Sequence, residues 1–117
     1  MIRITVYQND AGQYCGFRME GHAEFAAYGK DIVCAGVSVL VINTINSIEA
    51  LTDEIFENAI QQEKDVVSFG IVSDTVNEKA ELLLQSLVLG LNSLADEYGK
   101  KYIRLKFKKK AGGIKRC

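Results

Sequence analysis

The only histidine of the chain, His22, lies twelve residues before Cys34 in the run Gly21-His22-Ala-Glu-Phe-Ala-Ala-Tyr28-Gly29-Lys30-Asp31-Ile-Val-Cys34-Ala-Gly-Val-Ser38. A thiol becomes a working nucleophile when a nearby base removes its proton, and this sequence has one imidazole to offer. Cys34 and His22 are therefore the pair from which a cysteine hydrolase would be built. Asp31 is a strong N-cap type followed by apolar Ile32 and Val33, which predicts a helix beginning at residue 32 with Cys34 in its first turn. Unpaired N–H groups and the positive end of the helix dipole favour a thiolate there, whereas the charge of Asp31 and the apolar neighbours oppose one. The competing reading is a small buried thiol and an unrelated surface histidine, since cysteine is among the most buried residue types.

In the reaction this pair supports, His22 deprotonates Cys34, the thiolate attacks a scissile carbonyl, and water activated by His22 hydrolyses the thioester. The first-turn N–H groups of the helix are the nearest donors for the oxyanion. Asp31 is a candidate orienter of His22, in competition with its capping role. Ser38, four residues after Cys34, falls on the same helical face as the thiol and either supports the site or bonds a carbonyl one turn back.

The elements that must position these residues follow from the patterning. Ile2, Ile4 and Val6 alternate with polar neighbours, Asn9-Asp10-Ala11-Gly12 supplies a turn, and Cys15, Phe17 and Met19 alternate again, which reads as a hairpin. Residues 22–30 follow without clear periodicity, and Gly21 and Gly29 mark the hinges of an expected mobile loop over the thiol. A buried helix is expected from Ile32 to about Glu54, then a strand from Val66 to Val72. Thr75 and Glu78 read as a capping box for a second helix that ends at Gly99, and Ile103, Leu105 and Phe107 trace the last strand. The expected fold is α+β: a four-stranded, mostly antiparallel sheet with two helices on one face, in the order ββαβαβ. Residues 1–117 form one domain with a basic tail at 108–117.

Composition narrows the function. Apolar residues make up 48% of the chain and charged residues 25%, ordinary values for a globular protein. Three cysteines without a C-x-x-C pair predict no disulfide framework, and Cys15 reads as core filler. One histidine and scattered cysteines offer no metal site, and there is neither a phosphate loop nor a G-x-S-x-G elbow, so neither a metal nor a cofactor is expected. The apolar run from Ile32 to Ile42 is shorter than the ~20 residues of a membrane span, and the alternating start does not read as a secretion signal. A cytoplasmic protein with no membrane partner is expected. Residues 1–99 hold all fifteen acids and five bases, whereas residues 100–117 hold nine bases and no acid. The tail has the composition of a nucleic-acid contact, or of a solvated terminus.

The Gly21-His22 pair, the Tyr28-Gly29-Lys30-Asp31-Ile32-Val33-Cys34-Ala35 core and Val37-Ser38 together resemble the ribosomal-processing cysteine protease family called Prp, and the layout of the whole chain is similar to that family's. Gly36, where many relatives have Ala, is the visible departure. The resemblance implies an endopeptidase that trims a short N-terminal extension, rich in apolar and aromatic residues, from large-subunit ribosomal protein 27. It implies Cys34 as nucleophile and His22 as base, gives Asp31 and Ser38 supporting places, and suggests a homodimer; ribosomal RNA is the expected partner of the tail. The rival reading is a non-enzymatic ribosome-binding or assembly module, and a third is a thiol hydrolase acting on another peptide or acyl substrate.

Overall fold

The computed structural model describes residues 1–23, 26, 31–61 and 65–110. Gly29 and most of the expected loop, like residues 111–117 of the tail, lie outside them. The hairpin is present as β1 (Ile2–Gln8) and β2 (Tyr14–Glu20), paired from Arg3↔Glu20 to Gln8↔Tyr14. Asn9 closes it by accepting from the Ala11 and Gln13 amides at 3.0 and 2.9 Å, the local bonding that suits asparagine to turns. Then come α1 (Ile32–Leu51), β3 (Phe56–Gln61), β4 (Val66–Ile71), α2 (Glu78–Tyr98) and β5 (Ile103–Lys109).

The sheet has five strands in the order β3-β4-β2-β1-β5, with β5 parallel to β1 and every other neighbour antiparallel. This corrects the expected four-stranded sheet: the architecture is α+β, but the order is ββαββαβ and the sheet is mixed. The missed strand, β3, is Phe-Glu-Asn-Ala-Ile-Gln, weak in strand-forming types because it is an edge strand exposed along most of its length. Its crossover from β2 through α1 runs one way across the sheet, and that from β4 through α2 runs the other way from an oppositely directed strand. Right-handed crossovers of this kind place both helices on one face.

That face carries the core. Val33, Val37, Val41, Ile45 and Ile48 of α1 and Ala80, Leu84, Leu87, Val88 and Leu91 of α2 are buried against Ile2, Ile4, Val6, Phe17, Phe69, Ile71 and Ile103 of the sheet. By length and composition α1 is long and apolar enough to cross a membrane, but its valine stripe is part of this core.

Two local expectations are corrected. The N-cap of α2 is Asn77, whose side chain accepts from Lys79 N–H at 2.8 Å, so Glu78 opens the helix instead of closing a box with Thr75. Buried Val76, its N–H donating to Gln13 at 3.1 Å, fixes the entry two residues later than the sequence pattern implies. The last strand extends to Lys109, and the Lys110 amide still donates to the Gln8 carbonyl at 3.0 Å, so the start of the expected tail belongs to the sheet. Cys15 is buried as expected.

Candidate active site

Asp31 caps α1 as the sequence predicts. Its backbone is extended, and Oδ1 accepts from the Val33 and Cys34 amides at 3.1 and 3.0 Å. The Asp31 carbonyl takes the Ala35 amide at 3.0 Å. All three N–H groups are thus committed to the cap, and the expected first-turn oxyanion donors are not available at Val33, Cys34 or Ala35. A different amide reaches the sulfur: Ala23, buried and adjacent to His22, donates to Cys34 Sγ at 3.1 Å.

Cys34 has a free thiol, partly exposed. Burial pushes its pKa above the ordinary thiol value; the Ala23 hydrogen bond pulls the other way, but the charge of Asp31 and its hydrogen bond add to the rise. The Met1 ammonium lowers it slightly. Burial first, and then the anionic charge of the residue that caps the helix, therefore oppose a thiolate at this helix N-terminus.

His22 follows directly from the end of β2. Gly21 there has φ +89°, and a Cβ on it would lie 2.5 Å from the Met1 carbonyl oxygen, so the backbone approach itself requires glycine. Its N–H donates to the Asp65 carbonyl at 3.1 Å, which ties the start of the histidine segment to the turn before β4. Asp65 has φ +53°, a left-handed conformation that aspartate tolerates, and its Oδ2 lies 2.8 Å from His22 Nε2. Both side chains are about half exposed.

A cavity of about 280 Å³ brings these groups together: Cys34, His22, Ser38 and Asp65 line it alongside apolar Ile2, Met19, Val37, Ile60, Val66 and Val67. Asp31 is turned to the helix amides instead, and the carboxylate at the imidazole is Asp65. Sequence spacing missed Asp65, which is 43 residues from His22. The signal that finds it is strand pairing, because Glu20↔Val66 register puts residue 65 opposite the entry to the histidine. Among the described residues no group of three His, Cys, Asp or Glu side chains is placed to hold a metal ion.

Comparison with known proteins bears on the chain as a whole. The family model described as cysteine protease Prp matches residues 1–115. The ribosomal processing cysteine protease Prp of Staphylococcus aureus is 38% identical over 109 residues, spanning 92% of this chain and 100% of the relative. That of Bacillus subtilis is 29% identical over 103 residues, covering 84% and 90% of the two chains. A crystal structure of the essential ribosomal processing protease Prp from S. aureus, in complex with a covalently linked product peptide, superposes with a TM-score of 0.86 at 35% identity, over 92% of this chain and 100% of that one. The thiol, the imidazole and the fold that joins them thus fall within a match that takes in nearly the whole molecule, and the chain belongs to the Prp family of ribosomal processing cysteine proteases.

Proposed function

We propose that this protease removes the N-terminal extension of large-subunit ribosomal protein 27, with Cys34 as nucleophile and His22 as general base held by Asp65. The observation that carries the reading is the 2.8 Å contact between His22 Nε2 and Asp65 beside the cavity that Cys34 also lines. With Nε2–H donated to the carboxylate, the neutral ring keeps its lone pair on Nδ1, the nitrogen that accepts the thiol proton. The thiolate then adds to the scissile carbonyl, and the imidazolium returns its proton to the leaving amine as the C–N bond breaks. Water, deprotonated by His22, hydrolyses the thioester and restores the thiol. Ala23 N–H, which donates to Sγ at 3.1 Å, supports the thiolate and is the candidate oxyanion donor once sulfur bonds the substrate carbonyl.

A resting thiol with a raised pKa fits a protease that should be inert until substrate arrives. The apolar lining from Ile2, Met19, Val37, Ile60 and Val67 suits apolar and aromatic residues of an extension. Ser38 stands on the cavity wall one turn beyond Cys34 and is assigned a supporting place there. The rival reading as a non-enzymatic assembly module gives way to the protease identity of the family. A homodimer is also proposed: Val39, Ile42, Leu82 and Leu89 are exposed apolar side chains on the two helices, a surface for a second copy that light scattering of Val39→Glu would probe. The cell compartment proposed is the cytoplasm, where ribosomes mature.

The test is incubation with N-terminally extended ribosomal protein 27, read by intact mass. Cys34→Ala should not cleave, and His22→Ala should slow turnover by at least ~10²-fold, the scale of a lost general base. Substantial turnover by Cys34→Ala removes the thiol mechanism.

A further inference from the structure

The face of the sheet opposite the helices carries a feature that cleavage does not use. The register of β1 with β5 sets Arg3 opposite Arg104, Thr5 opposite Lys106 and Tyr7 opposite Lys108, and β2 adds Arg18 beside Thr5. Because Ile2, Ile4 and Val6 point into the core, these alternate residues share the other face. Arg3, Arg18, Arg104, Lys106 and Lys108 are all exposed. The acids of this face lie on its β2 side: Glu20, opposite Arg3, is 3.7 Å from Arg18, and Glu57 lines a surface cavity with Arg18. Among the described residues no carboxylate makes an ion pair with Arg3, Arg104, Lys106 or Lys108.

Such an arrangement is costly to the isolated protein, since like charges directly opposite on neighbouring strands destabilise a sheet. Arg3 and Arg104 are such a pair. None of the acids of this face is registered against β5, whose Arg104, Lys106 and Lys108 face Arg3, Thr5 and Tyr7. We propose that this face is a docking surface for RNA, gripping the sugar–phosphate backbone along β5 and β1.

Geometry and composition favour RNA over the other polyanion, a lipid surface. Same-face residues of a strand repeat at roughly 6.6 Å, about the step from one phosphate to the next along a nucleotide chain. Arg104, Lys106 and Lys108 thus offer one cation per phosphate on a straight track. Tyr7, partly buried in the row of Lys108, offers a ring for a base to stack on. A bilayer would also require apolar anchors, but the exposed apolar side chains of the strands, Ile60 and Phe107, register with Val67 and Val6 on the helix side of the sheet. Arg3 follows Ile2 of the cavity, so the track begins on the reverse of the cleavage site and leaves it open. The inference rests on the proposed function only for where RNA is met, near a maturing ribosome.

The experiment measures binding of the full chain to a fluorescent 20-nucleotide single-stranded RNA and to an RNA duplex by anisotropy, across a salt series, alongside vesicles containing phosphatidylserine. Wild type should bind RNA with log K falling linearly in log salt, at a slope of roughly −0.7 per phosphate contacted on a single strand. Arg104→Glu/Lys106→Glu should weaken binding at least tenfold and flatten the slope, and the milder Lys106→Gln/Lys108→Gln should do so partially, while short-peptide cleavage stays at its wild-type value and the thermal midpoint does not fall. RNA affinity equal in wild type and both variants overturns the proposal, as does vesicle binding that matches RNA binding and falls with the same substitutions. Loss of peptide cleavage by Cys34→Ala with RNA binding intact separates this proposal from the catalytic one.

Discussion

At the start of α1 a carboxylate stands beside the thiol, and at the turn into β4 another stands beside the imidazole. Asp31 spends its Oδ1 on two helix amides, and its charge raises the pKa of Cys34. Asp65 makes no helix cap and bonds His22 Nε2 at 2.8 Å. An anion near a thiol favours the neutral acid, whereas a carboxylate bonded to one nitrogen of an imidazole selects that nitrogen as the N–H donor. The two carboxylates thus face different groups: Asp31 caps the helix beside Cys34 and opposes loss of the thiol proton, and Asp65 bonds one nitrogen of the His22 ring. The lesson is that a carboxylate's role here follows from which atom it faces, not from how close it lies in sequence.

The strongest way to break this comparison is Asp65→Asn. Asparagine tolerates the left-handed backbone at φ +53° and keeps the volume, so the turn should survive. It removes the charge and leaves the ring's tautomer unspecified. Part of the ~10²–10⁴-fold contribution of a general base should be lost, seen as a fall in kcat of roughly ten- to a hundredfold with little change in KM. Nitrogen-15 spectra of the imidazole should at the same time show a smaller share of the Nε2–H form. A wild-type kcat together with an unchanged tautomer would reduce Asp65 to a surface ion pair.

How much of this was legible in the sequence differs between the same two regions. The Asp31 side was readable because a cap is local: the donor amides lie two and three residues from the carboxylate. The hairpin, both helices and the Cys34–His22 pair were readable for similar reasons, each resting on short spacing or on apolar periodicity. The Asp65 side was not, because it depends on β4 pairing with β2, and β3, the strand that leads into that turn, carries Glu57, Asn58 and Gln61 where strand formers would announce it. The expectation of first-turn oxyanion donors meets the same limit. Counting first-turn amides points to α1, but only coordinates reveal that Asp31 has taken them and that Ala23 N–H points to sulfur.

A smaller effect, of opposite sign, sharpens the contrast. In Asp31→Asn the cap persists through the amide oxygen but the charge is gone, so the pKa of Cys34 should fall towards the ordinary thiol value. Below that pKa each unit of fall multiplies the thiolate fraction tenfold, so alkylation of Cys34 by iodoacetamide at pH 7, followed by peptide mapping, should accelerate. In wild type the alkylation rate should still be climbing above pH 9, since the raised pKa delays ionisation. Slower or unchanged alkylation in Asp31→Asn would mean that burial alone sets the thiol's acidity.

The smallest expected effect separates capping from charge. Asp31→Ala deletes the acceptor of the Val33 and Cys34 amides as well as the charge. Losing an N-cap costs ~1 kcal/mol, which for a domain of this size lowers the thermal midpoint by roughly 4 °C. Asp31→Asn should lose only a small part of that, because asparagine caps as well as aspartate does. Asp65→Asn should not move the midpoint measurably, since its partner is half exposed and surface ion pairs contribute little. Thermal denaturation of the three variants therefore ranks them differently from kcat: the alanine at 31 is the least stable, and the asparagine at 65 is as stable as wild type and the poorest catalyst of the two asparagine variants. If Asp31→Ala and Asp31→Asn melt together below wild type, the charge and not the hydrogen bonds stabilises the start of α1, and the two aspartates differ less than their geometry indicates.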